Sequence, residues 1–469
     1  MKCIQKNSEV GHNSTKSETN YDKMKVRKKG DDMKKGKWIV LAMIALLVMI
    51  PVIKEQLIPE MLRNSRNDDA GALRFEVNEA KAVVFYPKDV EAEFSQNMAQ
   101  LIKNDLMDTV ESVENLKVDF SKSEVGGYLF LSFDAVDEQG NLIKAYKTIC
   151  DLESHEQVNA SDLFQDSFYE FFSSEVRYQM KESGRLGDLA YGKEFYEKTT
   201  ADAVHDFDLY MDEEAGLFSL NLSLSGQDAV IHVEIEMEQL ACYFKEDEVL
   251  YQSDDSVVHP VRHYVDAERP MVALTFDDGP VRQNTLLALE LLNLYDAKGT
   301  FFMLGFRMER NPDVVLSALN GGHEVGSHTY NHPYLTKKGT NLEYQYSRNQ
   351  EILSEITSKE AEIRLLRPPY GSVDQNVKNT SPYPLVMWSL DTRDWDTLDA
   401  KATHNAIMNN VKDGDIILLH DLHESSVESL RTVVPALIEA GYQLVTVSEL
   451  MEARGIEMKN GVTYSKARK

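Results

Sequence analysis

The stretch MVALTFDDGP at residues 271–280 decides the fold of the C-terminal part of the chain. Its apolar first half predicts a buried strand, and Gly279-Pro280 ends that strand and turns the chain. Two adjacent carboxylates, Asp277 and Asp278, therefore stand at the carboxyl end of the strand. Because neighbouring side chains on a strand point to opposite faces, one carboxylate can bind a metal while the other takes a proton. Taken alone, the stretch also fits an ordinary polar turn.

Strand-like and helix-like patterns alternate from residue 271 onward. The predicted strands are 271–276, 299–304, 323–327, 365–367, 385–388, 415–420 and 443–447. The predicted helices are 285–295, 314–319, 402–411 and 426–440. This alternation predicts an α/β domain with a parallel sheet closed into a (β/α) barrel. Polar clusters follow the strands, so the chemistry is expected at their carboxyl ends.

A pair of histidines follows one of these strands. His328 and His332 are four residues apart after the predicted strand 323–327. That spacing predicts two imidazoles on one face of a helical turn, and imidazoles together with a carboxylate suit a transition metal. Since Asp277 and Asp278 end another strand of the same predicted barrel, the sequence predicts a His-His-Asp metal site.

Five motifs resemble those of the polysaccharide deacetylase (NodB-homology) family of carbohydrate esterases. They are TFDDGP (275–280), HTYNH (328–332), RPPYG (367–371), DTRDW (391–395) and LLH (418–420). The resemblance spans about residues 263–455 of the sequence. It implies a distorted (β/α) barrel, removal of acetyl groups from acetylated sugars, and one divalent metal, with Zn²⁺ expected and Co²⁺ or Mn²⁺ as alternatives.

The resemblance also implies roles for individual residues. Asp278, His328 and His332 are implied as metal ligands, which leaves coordination positions open for water and substrate. Asp277 is implied as the catalytic base. Arg367 is implied to orient it, and we expect a bidentate guanidinium–carboxylate pair.

The remaining motifs imply the other parts of the reaction. The backbone N–H of Tyr370 is implied to stabilise the oxyanion. His420 is implied to protonate the leaving nitrogen, with Asp394 as the carboxylate that keeps it charged. Trp395 and Leu418, together with Tyr370, are implied to line the substrate pocket.

The N-terminal part has a basic tail and an apolar run. Residues 1–37 carry eleven Lys and Arg against five Asp and Glu, whereas the whole chain has a net charge of −27. The run WIVLAMIALLVMIPVI predicts a transmembrane signal-anchor at residues 38–54, with the N-terminus in the cytoplasm and the catalytic domain outside the cell membrane, facing the cell wall. A cleaved secretory signal is the main alternative, but no A-x-A-like cleavage site follows the run.

Mixed strand and helix patterns between the anchor and the barrel predict two small α+β domains, 55–150 and 151–262, before the catalytic domain 263–469. The aromatic residues at 168–172 are expected in a helix core rather than on a glycan-binding surface. The acidic body excludes nucleic acid as a partner. Pairing of Cys150 with Cys242 and the oligomeric state are left open.

The function follows from the motifs and from the placement of the chain. The motifs, through the family resemblance, imply hydrolytic deacetylation. The substrate is implied by three features: the outward-facing anchor, the extra domains and the similarity of this arrangement to Gram-positive wall deacetylases. Together they imply N-acetylglucosamine of peptidoglycan as the substrate, and membrane and wall as partners. The expected products and role are acetate release and lysozyme resistance. The alternatives are chitin oligosaccharides, poly-N-acetylglucosamine or acetylxylan as substrates, or a surface-binding or sensing protein.

Overall fold

The computed structural model describes residues 70–77, 80–88, 92–109, 115–137, 139–211, 214–240, 243–244, 260–359 and 361–468. The described residues fall into two compact units, one within 70–162 and 208–217 and the other within 163–207 and 218–468. No helix in these ranges is long and apolar enough to span a bilayer. The predicted anchor at residues 38–54 and Cys242 lie outside the described residues.

The first unit is a six-stranded sheet with one helix. Its strands are β1 (Ala70–Val77), β2 (Ala80–Pro87), β3 (Asn115–Val125), β4 (Tyr128–Asp137), β5 (Leu142–Asp151) and β6 (Gln157–Val158), paired in that order. Helix α1 (Ala92–Thr109) contributes Ile102 and Leu106 to the core, where they join Leu129, Leu131 and Phe133 of β4. Every second residue of that strand segment is therefore buried against the helix. The short strand β7 (Asp208–Met211) also belongs to this unit.

The second unit begins with a mainly helical segment. Its elements are α2 (Asp166–Ser183), α3 (Lys193–Lys198), β8 (Ala215–Leu224), β9 (Gln227–Glu236) and α4 (Met237–Leu240). The aromatic residues of α2 lie in the core, as predicted: Phe168 and Phe172 are fully buried and pack against Phe207 and Phe218. Gly184, in the left-handed region at φ 64°, ends α2.

Helix α2 is joined to the C-terminal part of the same unit by buried charges. The fully buried Arg177 guanidinium donates to the carbonyls of Asn293 and Leu294, at the C-terminal end of helix α5 (Arg282–Asn293). The Asn293 carbonyl also accepts from the backbone N–H of Asp296 at 3.2 Å, so the arginine adds a further donor at this helix end. Lys181 Nζ lies 2.7 Å from Asp296 Oδ2, with both side chains buried. Residues that precede 263 therefore pack into one unit with those that follow it.

The rest of the second unit alternates strands and helices, as predicted. The strands are β10 (Met271–Asp277), β11 (Gly299–Met303), β12 (Glu324–Ser327), β13 (Leu385–Val386), β14 (Leu390–Asp391), β15 (Ile416–His420), β16 (Gln443–Leu444) and β17 (Thr463–Tyr464). The helices that follow α5 are α6 (Gly305–Met308), α7 (Pro312–Asn320), α8 (Leu342–Ile356), α9 (Gln375–Thr380), α10 (Asp394–Thr397), α11 (Ala400–Met408), α12 (Glu424–Glu439) and α13 (Val447–Ala453).

The sheet is parallel and has the order β12-β11-β10-β15-β14. Beyond β12, single parallel bridges run from Ser327 to Leu366 and from Leu366 to Leu385. The strands thus run from β14 through β15, β10, β11 and β12 to β13, which neighbours β14 in the chain. Among the described strands, no ladder of hydrogen bonds joins β13 to β14. Apolar residues from several strands, including Ala273, Phe302 and Ile416, fill the centre. The predicted α/β domain is confirmed, although 365–367 forms a bridge instead of a strand.

Candidate active site

The predicted site residues meet at the carboxyl edge of the parallel sheet. Asp277 is the last residue of β10 and His420 is the last residue of β15, and the two are register partners. Ser327 ends β12, and His328 follows it directly. Because parallel strands all end at the same edge, residues far apart in sequence come together there.

Asp278, His328 and His332 form a cluster of three metal-type donors. Asp278 Oδ1 lies 3.6 Å from His328 Nε2 and 3.4 Å from His332 Nε2. One donor atom from each residue falls within 4.8 Å of the others. Asp278 Oδ1 is buried and makes no hydrogen bond within the described residues. A buried carboxylate oxygen without a partner, aimed at two imidazoles, fits a divalent cation.

The two histidines are held by a loop. The prediction of a helical turn at 328–332 is wrong, because Thr329 at φ 70° and His332 at φ 60° are left-handed and reverse the chain. Asp278 is also left-handed, at φ 75°. Non-glycine residues adopt this conformation at a cost, which tertiary contacts must offset. The imidazole centroids of His328 and His332 are nevertheless 4.9 Å apart.

Helix α8, which sequence reasoning missed, supports this loop. Asn349 Nδ2 donates to the carbonyls of Met303 and Thr329, at 3.1 and 3.2 Å. Gln345 Oε1 accepts from the backbone N–H of Tyr330 at 3.0 Å. A Cβ on Gly305 would clash with Asn349 Oδ1, so the close approach requires glycine. The signal available in the sequence was a pair of amides four residues apart in a 15-residue helix.

Arg367 is fully buried and contacts Asp277 through its side chain and His328 through its backbone carbonyl. Its Nη1 donates to Asp277 Oδ1 at 2.8 Å and to Thr275 Oγ1 at 2.7 Å. The expected bidentate pair with Asp277 is therefore wrong, since Nε and Nη2 donate instead to the carbonyls of Val386 and Met387.

The backbone carbonyl of Arg367 fixes a metal-type donor. It lies 2.7 Å from His328 Nδ1, a distance that makes this nitrogen the donor. The Nε2 atom of His328 is then left with its lone pair toward Asp278. Burial lowers the pKa of His332, which favours the neutral imidazole that a metal requires.

His420 is held by a fully buried carboxylate. Asp394 Oδ2 accepts from the backbone N–H of His420 at 2.7 Å, and Oδ1 lies 2.9 Å from its Nδ1. Burial lowers the pKa of His420, but the hydrogen bond and charge of Asp394, with the charges of Asp277 and Asp278, outweigh it and raise the pKa to about 9. His420 is thus protonated near neutral pH.

Asp421 was missed by sequence reasoning. It is fully buried, and its Oδ2 accepts from the hydroxyl of Thr285, which in turn accepts from the backbone N–H of Val281 at 2.8 Å. Burial raises the pKa of Asp421 to about 7. A Cβ on Gly279 would clash with its carboxylate. The chain of contacts ties the end of β15 to the turn that carries Asp278.

The predicted pocket residues differ in how exposed they are. Leu418 is buried on β15, and Trp395 follows Asp394 with 49% of its surface exposed. Tyr370 is left-handed at φ 58°, and its ring lies 4.4 Å from that of His332. Its other neighbour is Tyr334, which the sequence did not single out.

Comparisons with known proteins agree with this arrangement. A family model described as polysaccharide deacetylase matches residues 264–382. The chain is 34% identical over 196 residues to the peptidoglycan-N-acetylmuramic acid deacetylase PdaC of Bacillus subtilis. The aligned region covers 42% of this chain and 42% of PdaC. It is 38% identical over 180 residues to the peptidoglycan-N-acetylglucosamine deacetylase PgdA of Listeria monocytogenes, covering 38% of each. The chain thus matches about two fifths of these relatives' length.

A shorter relative is covered almost in full. A peptidoglycan-N-acetylglucosamine deacetylase of Bacillus cereus is 39% identical over 190 residues, which are 39% of this chain and 88% of that protein. The aligned part accounts for nearly all of that protein. The chain therefore belongs to the polysaccharide deacetylase family of hydrolases.

Proposed function

We propose that this chain is a metal-dependent hydrolase that removes N-acetyl groups from N-acetylglucosamine in peptidoglycan and releases acetate. One observation carries the proposal: an acid–base pair lies at two adjacent strand ends beside the His-His-Asp cluster. Asp277, bonded to Arg367, and His420, bonded to Asp394, are register partners across β10 and β15. Amide hydrolysis needs a base for the attacking water and an acid for the leaving nitrogen.

The base in this proposal is Asp277. Arg367 donates to one of its oxygens and leaves the other directed toward His328 Nε2, at 3.7 Å. Asp277 takes the proton from the attacking water, and the guanidinium holds its carboxylate in position for that transfer.

Asp278, His328 and His332 would hold the metal, for which their donor set and spacing are suited. When bound, a divalent cation there would act as a Lewis acid toward the acetyl carbonyl and lower the pKa of the attacking water. We propose Zn²⁺, with Co²⁺ and Mn²⁺ as alternatives, because two imidazoles and one carboxylate suit all three ions.

The acid is His420. With a pKa of about 9 it carries a proton at neutral pH and gives that proton to the leaving nitrogen. Asp394 balances the charge and holds the ring through Nδ1. The backbone N–H of Tyr370 donates to the developing oxyanion, and Trp395 and Leu418 enclose the acetyl methyl.

The choice of substrate rests on the relatives and on the N-terminal sequence. Two relatives named above are peptidoglycan-N-acetylglucosamine deacetylases, and one is a peptidoglycan-N-acetylmuramic acid deacetylase. The apolar run at residues 38–53, after a basic tail, supports a single-pass anchor over residues 38–54 that places the second unit outside the membrane, facing the wall. Removal of acetyl groups from wall glycan would then confer lysozyme resistance.

The test is acetate release by the full chain from purified peptidoglycan, chitotetraose and acetylxylan, with mass analysis of the digested glycan. Free amines on glucosamine support the proposal. Free amines on muramic acid, or release from xylan only, would replace the proposed substrate. Absence of acetate from every polymer, with metal bound, would refute deacetylation and leave the surface-binding alternative. Asp277→Asn is the matched inactive variant.

A further inference from the structure

We propose that Tyr334 forms an additional sugar-binding subsite, which holds the pyranose ring next to the acetylated sugar in the glycan chain. The inference rests on the proposed function, since it requires a glycan substrate. It assigns a substrate-binding role to a side chain that lies outside the five motifs.

The first observation is a continuous row of rings that leads away from the metal-type cluster. The Tyr370 ring contacts the His332 imidazole in an edge-to-face arrangement, with ring centroids 4.4 Å apart and planes at 60°. Tyr334 stacks on Tyr370, with centroids 3.9 Å apart and planes at 13°. A ligand whose acetyl group reaches the cluster therefore passes these rings if it extends on this side.

The second observation is that both tyrosine rings of the row are open to solvent. Tyr334 is 49% exposed and Tyr370 is 56% exposed. Exposed aromatic surface beside a polar cluster is typical of ligand contact. Tyrosine offers an apolar face together with a polar hydroxyl, and a pyranose ring has the matching pattern of C–H faces and equatorial hydroxyls.

The third observation is that the Tyr334 backbone is held in place. Its carbonyl accepts from the backbone N–H of Lys337 at 3.1 Å and from the hydroxyl of Thr340 at 3.0 Å. The next residue, Leu335, is buried in a small core with Tyr346. A ring fixed before the ligand arrives loses little conformational entropy on binding, so the stacking contributes to affinity.

A subsite for a neighbouring sugar acts through binding and leaves the chemical step unchanged. Its contact is the same in the ground state and in the transition state, so its loss raises KM and leaves kcat unaltered. A tyrosine that only supported the Tyr370 loop would instead change the turnover of every substrate, including one that fills the acetyl pocket alone.

The experiment compares the zinc-loaded full chain with Tyr334→Ala and Tyr334→Phe on chitotetraose and on 4-nitrophenyl acetate. For Tyr334→Ala we expect KM for chitotetraose to rise about tenfold, as for loss of one ring-stacking contact, with kcat unchanged. Hydrolysis of 4-nitrophenyl acetate should stay within about twofold, and Tyr334→Phe should resemble the wild type. Tyr344→Ala is the matched control, because Tyr344 is also exposed but packs on Tyr330.

Equilibrium binding of chitotetraose, measured by calorimetry, separates this inference from the proposed function. If the wild type releases no acetate, the proposed function fails, and a weaker Kd in Tyr334→Ala still supports the subsite. An unchanged KM and Kd in Tyr334→Ala overturn the subsite. An equal loss on chitotetraose and 4-nitrophenyl acetate also overturns it, because it would assign Tyr334 to the support of the loop.

Discussion

Replacement of Asp394 by asparagine should lower the pKa of His420 and move the alkaline limit of the reaction. Asp394 accepts two hydrogen bonds from His420, through the backbone N–H and Nδ1. An asparagine side chain has only one acceptor oxygen, so one of the two donors is left unpaired, and the negative charge is gone. The burial that lowers the pKa of His420 then acts with much less opposition.

The magnitude follows from the distance between the raised and the ordinary pKa. The step from 6.5 to about 9 corresponds to about 3 kcal/mol between the two protonation states of His420. If Asp394→Asn returns the pKa to 6.5, the protonated fraction at pH 8 falls about thirtyfold, whereas at pH 6 it falls less than twofold. The raised pKa of His420 stabilises the folded wild type below pH 6.5, and this stabilisation is lost as pH rises through about 9. The thermal stability of Asp394→Asn should therefore approach that of the wild type at alkaline pH.

The assay is kcat for acetate release between pH 5 and pH 10, at saturating chitotetraose and with bound zinc measured for each protein. We expect the alkaline limb near pH 9 in the wild type to move down by about two and a half units in Asp394→Asn. The control is Asp396→Asn, because Asp396 lies in the same short helix but pairs with Arg393 at the surface. A uniform loss of activity with the limb still near pH 9 would refute the assignment of His420 as the acid.

Three further outcomes test the site and its support. Arg367→Lys, which cannot reproduce the guanidinium contacts around Asp277, should lower kcat/KM about a hundredfold, and a change within twofold would contradict the positioning role. Lys181→Met should reduce the free energy of unfolding in denaturant by about 3 kcal/mol, because Asp296 then stays buried with one cation fewer beside it. Adding Asp296→Asn should restore part of this loss. A cost below about 1 kcal/mol for Lys181→Met would contradict the prediction. Zinc at a hundred times its Kd should stabilise the wild type by about 2.7 kcal/mol, seen as a higher melting temperature, but not Asp278→Ala; equal shifts would mean that zinc binds elsewhere.

The strands and the donor residues were predictable because their signals are local. Each central strand is an apolar run that ends in polar residues, as in MVALTFDD and IILLH, and the observed bounds of β10 and β15 lie within one residue of the predicted ones. Once the strands are parallel, their carboxyl ends must meet, so Asp277 and His420 become neighbours without further information.

The supporting contacts were not predictable because they depend on approaches between distant segments. Asp421 looks like an ordinary polar residue after His420, and only the fold brings it against Gly279, more than a hundred residues earlier. The i, i+4 spacing of His328 and His332 suggested a helix, but the amides of Gln345 and Asn349 stabilise a loop instead. Periodicity does not report side chains that satisfy the backbone of another segment.

The left-handed loop residues limit how far this site can be stabilised by mutation. Thr329, a β-branched residue at φ 70°, is a position where glycine would relieve backbone strain. Its hydroxyl, however, accepts from the backbone N–H of His332 at 3.1 Å, and glycine would remove that support of a donor residue. Stability and activity are therefore in direct trade-off at this edge of the sheet.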